Sequence, residues 1–168
     1  MQQPRTFGKA IQRRQADDFA RMRSRYLDIF SQSELRLAQL YLKLGLKKPD
    51  SSVGQKIGEL VALKPSHALP KTIAKQIHVI CRDLSGQVKI RNGMAHATMS
   101  VGTKSGEDVS FFQKANDAAA NNPVYFVMTF DDFANAIEAI GDVTTKLNSV
   151  LIPPPSPPRP LQAATGGP

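Results

Sequence analysis

The chain has 168 residues, 41% of them hydrophobic, and a formal net charge of +8. That length holds one domain with a real core and is too short for two ordinary ones, and no apolar run is long enough for a membrane helix or a signal peptide. The single Cys81 excludes an internal disulfide and no Cys/His cluster has zinc spacing, so the expected setting is the reducing cytoplasm, without a structural metal or cofactor.

The first helix is predicted from about Lys9 to Leu44, stopping at Gly45 with Lys47, Lys48 and Pro49 just beyond. Residues 1–48 hold eleven Lys/Arg against four Asp/Glu, so +7 of the net charge lies here. Arg5, Lys9, Arg13, Arg14, Arg21, Arg23 and Arg25 form a basic stretch that would attract a polyanion, and Arg13, Arg14, Arg21 and Arg25 are the candidate RNA contacts. The alternative for such a run is a solvated helix face. Leu27, Phe30, Leu37, Tyr41 and Leu44 alternate in steps of three and four, and the position completing that series is Glu34. An inward carboxylate needs a cation or hydrogen-bond donors to offset its burial.

Ser52 is expected to cap a short helix, with Gln55 completing a capping box and Lys64-Pro65 closing it. A third helix runs from Ser66 or Pro70, with proline tolerated in the first turn. Its stripe is Ile73, Ile77, Ile80, Leu84, Val88 and Ala95, and Arg91 falls inside it. Arg91 and Glu34 are therefore predicted to pair, against alternatives in which Glu34 sits on the stripe's edge or the pair is only structural. Thr98 to Phe112 reads as a loop or hairpin around Lys104-Ser105-Gly106, and Val124 to Phe130 as a short strand bounded by Asn122-Pro123. Thr129 and Asp132 open a final helix whose Phe133, Ile137, Ile140 and Leu147 share a face. The fold class is mainly α, with a small β-hairpin/strand insertion before the last helix. Residues 1–152 form the domain, and 153–168 a Pro-rich tail expected to be extended and disordered.

One segment carries chemistry: Arg91-Asn92-Gly93-Met94-Ala95-His96. Arginine neutralises phosphate, and imidazole exists in both protonation states near neutral pH, so the pair is a minimal kit for cleaving RNA without metal. On a straight helix five residues amount to about 500°, placing the two side chains about 140° apart. They then meet around one phosphate only if Gly93 permits a bend or helix end, or if a symmetric dimer brings two motifs to one cleft. Elsewhere the signals are weak. His67 and His78 lack a ligand partner, Asp83 fits an exposed ion pair, and Ser33 and Ser100 lack a nucleophile's strand-turn-helix setting. Gly102 to Gly106 is a turn, with no Gly-Lys-Ser/Thr to make a phosphate loop.

The motif resembles that of the HEPN superfamily, small helical domains whose active members carry R-x4-6-H, often with Asn after the Arg and small residues before the His. Here those features are Arg91, Asn92, then Gly93 and Ala95 ahead of His96. A long first helix with an acidic residue in its second half (Phe30-Ser31-Gln32-Ser33-Glu34-Leu35) and a closing amphipathic helix fit the family's layout over about Arg13 to Leu151. The resemblance implies a HEPN-like helical bundle acting as a metal-independent endoribonuclease, with toxin, phage-defence or RNA-processing roles. It also implies a homodimer whose active site is shared, and a possible antitoxin or regulator. The site residues it implies are Arg91, His96, Asn92 and Glu34. Two alternatives stand beside it: a catalytically silent HEPN-like module binding RNA, a nucleotide or a protein, and an unrelated helical interaction protein.

Overall fold

A computed structural model describes residues 5–46, 51–66, 69–114 and 124–152, with side chains over 15–46, 51–66, 69–113 and 126–152. Its elements in chain order are α1 (Arg5–Lys43), α2 (Val53–Val61), α3 (Lys71–His96), β1 (Ala97–Lys104), β2 (Glu107–Lys114), β3 (Val124–Thr129) and α4 (Phe130–Leu151). The protein is mainly helical, with a small three-stranded antiparallel sheet of order β1-β2-β3 before the last helix. The Pro-rich tail 153–168, His67, Asn122-Pro123 and the side chains of Arg13 and Arg14 lie outside the described residues. Among the described residues no helix is long and apolar enough to cross a membrane.

Local chemistry sets the boundaries. Gly45, at φ +75°, ends α1: its N–H bonds to the Leu42 carbonyl and that of Leu46 to the Tyr41 carbonyl, the paired bonds of a Schellman motif. Ser52 and Gln55 close a reciprocal capping box on α2, and Thr129 and Asp132 do the same on α4. Pro70 sits at the N-cap of α3 with extended backbone, one position outside the predicted first turn. Between β1 and β2 the loop is just Ser105 and Gly106, both at positive φ, so the twist of a type I′ turn matches that of the strands.

α1 and α4 run side by side in the same direction. Phe19 stacks on Phe130 with centroids 3.9 Å apart, the Ser33 and Thr144 hydroxyls meet at 2.6 Å, and Lys43 Nζ donates to the Leu151 carbonyl at 2.8 Å. α3 runs antiparallel to both, joined to α4 by an ion pair of Lys146 with Asp83 at 3.0 Å. The α1 positions with essentially no exposure are Phe19, Tyr26, Phe30, Ser33, Leu37, Leu40 and Tyr41. That corrects the predicted stripe by one residue. Its centre passes through Ser33, which returns its hydroxyl to the Ile29 carbonyl, while Glu34 lies on the edge facing α3, its side chain 28% exposed. Near the end of α3, Met94 is buried and Ala95 exposed, so Met94 completes the apolar face in place of Ala95. At the sheet end, Phe112 stacks on Phe126 and leans on Phe133, tying strands to α4.

Cys81 is buried in this core, and burial pushes its thiol up to about 11. The Tyr26 phenol is raised too, chiefly by burial, with the Arg91 charge acting the opposite way. Both groups fold in their neutral forms, so their stabilising effect is complete below the pH where the unfolded groups titrate. It is lost as pH climbs through the folded values. The melting temperature should hold constant near neutrality and fall above about pH 9. In Cys81→Ala the fall should be shallower, and a wild-type melting temperature that rises with pH in this window would contradict the assignment.

Candidate functional site at the α1/α3 seam

Residues 23, 26, 30 and 34 recur at steps of three and four along α1 and form the edge that faces α3. Each meets α3 or its end. Arg23 Nη2 donates to the Ala97 carbonyl at 3.4 Å. Tyr26 donates its hydroxyl to the backbone oxygen of Gln87 at 3.0 Å and to its side-chain Oε1 at 3.1 Å. Phe30 presents its ring to the Arg91 guanidinium, 5.8 Å from the centroid, and Glu34 Oε1 lies 3.6 Å from Arg91 Nη2.

Arg91 is thus held on three sides. Besides Glu34 and the Phe30 ring, its Nη1 donates to Asn92 Oδ1 at 3.1 Å. Guanidinium carries five N–H donors in a planar fork, so donors remain for an anion, and with 31% exposure the side chain can meet one from solvent. Tyr26 strengthens the mount from behind. Gln87 is one helical turn before Arg91, and its carbonyl, which takes the Tyr26 hydroxyl, is also the i−4 acceptor for the Arg91 backbone N–H.

His96 occupies a different situation. It is exposed, it is the last residue of α3, and Ala97 is already the first residue of β1. Gly93 neither bends nor ends the helix: it is buried, and its carbonyl accepts the Ala97 N–H in ordinary helical fashion. The route to a one-chain site through a Gly93 bend is therefore not taken. Arg91 and His96 stay about 140° apart around a regular axis and about 7.5 Å apart along it. What does approach the His96 end is Arg23, through its bond to the following carbonyl.

The other predicted contacts lie elsewhere. Arg21 and Arg25 are exposed, Arg21 paired with Asp18 at 3.5 Å, and both line a shallow groove with Ile137 and Glu138 of α4. Two residues along a helix is about 200°, so they point away from the edge that carries Arg23. Asp83 bridges Arg82 and Lys146, His78 is exposed on α3, and Ser33 serves the α1/α4 contact. In the sequence Arg23 figured only as one member of the basic stretch, and Tyr26 and Gln87 were not singled out. The signal that finds the first two is their spacing from Glu34 on one helix edge.

The Glu34–Arg91 pair is partly exposed and its contact is long, so it contributes about 0.5–1 kcal/mol at most. Glu34→Gln should shift thermal unfolding only slightly while loosening Arg91, which NMR of the guanidinium Nε–H would show as faster motion. A large loss of stability would make the pair chiefly structural.

No family model, curated protein or solved structure matches this chain.

Proposed function

We propose that the protein is a HEPN-like, metal-independent endoribonuclease that works as a two-fold homodimer. The observation that carries this reading is the mounting of Arg91: an arginine fixed by Glu34, Asn92 and the Phe30 ring, yet open to solvent, on the same helix end as an exposed histidine.

In the proposed reaction a neutral His96 takes the proton of the ribose 2′-hydroxyl as its oxygen attacks the adjacent phosphorus. The bond to the 5′-oxygen breaks, that oxygen takes a proton from an imidazolium, and the products are a 2′,3′-cyclic phosphate and a 5′-hydroxyl. Arg91 stabilises the charge that gathers on the phosphorane-like transition state. Asn92 and Glu34 are positioning residues for its guanidinium. A two-fold axis near the α3 ends supplies what one straight helix does not, a second His96 as the acid and a second Arg91 across the cleft. The positive charge of the first helix, including Arg13, Arg14, Arg21 and Arg25, draws RNA to the protein at long range. The resemblance at Arg91 to His96 extends the proposal to a toxin, phage-defence or RNA-processing setting in the cytoplasm, with a protein regulator.

The second reading is a catalytically silent module that binds RNA without cutting it. The regular course of α3 through Gly93 favours it, because within one chain the two side chains do not converge.

The readings separate on cleavage. His96→Ala should lower RNA cleavage by about 10²- to 10⁴-fold, the usual contribution of a general acid or base, with unfolding unchanged and activity retained in EDTA. Binding with a steep salt dependence but intact RNA across neutral pH would select the silent module. Mixing Arg91→Ala with His96→Ala protein and allowing subunits to exchange should restore part of the activity if the site is shared. A monomer that still cleaves would remove the dimer from the mechanism.

A further inference from the structure

α4 carries Asp132, Asn135, Ala136 and Ala139 at i, i+3, i+4 and i+7, so these four share one face. That face looks towards α3 and β3, where a packed core would place two large apolar side chains. Two alanines stand there instead, and the missing bulk leaves a cleft of about 530 Å³ between the three elements. The cleft is open to solvent, and its volume falls in the range of small-ligand sites.

The walls of the cleft are of two kinds. Ile90 of α3 and the β3 stretch from Phe126 to Met128 make it apolar, while Gln87, Asp132 and Asn135 bring donors and acceptors to its border and Lys89 adds a cation. Neither a purely aliphatic ligand nor a sugar would engage both kinds of wall. A planar heteroaromatic ring with an edge of donors and acceptors matches both.

Two of the polar groups are already engaged within the protein. The Tyr26 hydroxyl proton is shared between the Gln87 backbone oxygen at 3.0 Å and Gln87 Oε1 at 3.1 Å, an arrangement that leaves the Gln87 Nε2 hydrogens for another acceptor. Asp132 Oδ2 accepts the Thr129 N–H at 2.9 Å, which leaves Oδ1 to accept. A donor on α3 and an acceptor on α4 thus both border the cleft, the two kinds of group that read a base edge. The cleft also lies one helical turn from the motif arginine, since Gln87, which lines it, precedes Arg91 by four residues on the same face of α3.

We propose that this cleft holds an unpaired nucleobase, that of the RNA nucleotide next to the phosphate at Arg91, and so sets base preference. The RNA source rests on the ribonuclease reading above. The same chemistry could come from a free nucleotide, and the experiment separates the two.

The full chain is titrated with the four nucleoside 5′-monophosphates, followed by NMR of the Ala136, Ala139, Ile90 and Met128 methyls, and with homopolymeric RNAs of about eight nucleotides, followed by anisotropy. Two variants accompany it: Ala139→Leu, which fills the cleft, and Gln87→Leu, which removes the donor on α3. The expected result is a preference of about tenfold or more for one base. Both variants should abolish it while the salt dependence of RNA binding, set by phosphate contacts, stays as in the wild type. If Ala139→Leu does not fold, Gln87→Leu alone reads the same loss.

Methyl shifts with a monophosphate but no RNA binding would assign the cleft to a free nucleotide and overturn the ribonuclease reading. RNA cut without base preference, and with the variants equal to wild type, would overturn the cleft assignment and leave the ribonuclease reading standing. Absence of both methyl shifts and base preference overturns the cleft assignment whether or not RNA is cut.

Discussion

The structure depends on one helix, α1, that packs against several elements at once. Besides meeting α2 and β1, it lies along α4 in the same direction and against α3, which runs the other way. A helix packed against a single neighbour needs one narrow stripe, whereas α1 must satisfy several, and along the two helical seams its residues divide accordingly. Phe19, Ser33 and Lys43 register α4, while Arg23, Tyr26, Phe30 and Glu34 register α3. Placing the motif helix and placing the closing helix are two consequences of the same face.

That division explains why polar groups can sit so close to the core. The Ser33 and Thr144 hydroxyls each lie within hydrogen-bond distance of a carbonyl of their own helix and of one another, and sharing their two protons among these contacts leaves neither oxygen without a partner. Among the described residues no buried side-chain nitrogen or oxygen lacks a hydrogen-bond partner. Arg91 follows the same logic at the other seam. Full burial of a guanidinium beside a carboxylate would incur a desolvation cost that the Coulombic attraction rarely offsets. Leaving both about one third exposed keeps that cost small and keeps the cation reachable.

The sheet completes the arrangement by continuing α3 without a connecting loop, Ala97 being both the residue after His96 and the start of β1. An exposed histidine at a helix end is ordinarily mobile. Here the following strand is paired with β2, and Arg23 holds the first carbonyl, so the backbone carrying His96 is fixed from outside the helix. The return of the chain through β3 straight into α4 then brings Asp132 and Asn135 to the same end as Arg91 and leaves the alanine-lined cleft beside it.

Much of this was legible in the sequence because it depends on short-range chemistry. Capping boxes at Ser52 and Thr129, the glycine stop at Gly45, the turn at Ser105-Gly106 and the apolar period of α3 and α4 all act within a few residues. The Arg91 to His96 motif was visible for the same reason. Residue spacing could not decide which of two adjacent positions, Ser33 or Glu34, faces inward, since a stripe of three-and-four steps admits both until the neighbouring helices are placed. Nor could it decide that α3 stays regular through Gly93, because a helical glycine and a helix-ending one look alike in sequence and only the strand that follows fixes which forms. The sequence by itself determined the elements, their ends and the chemically capable residues. Tertiary structure alone decided the Tyr26–Gln87 bond, the approach of Arg23 to the end of α3 and the cleft under β3, because each joins residues from helices and strands far apart in the chain whose meeting no local preference encodes.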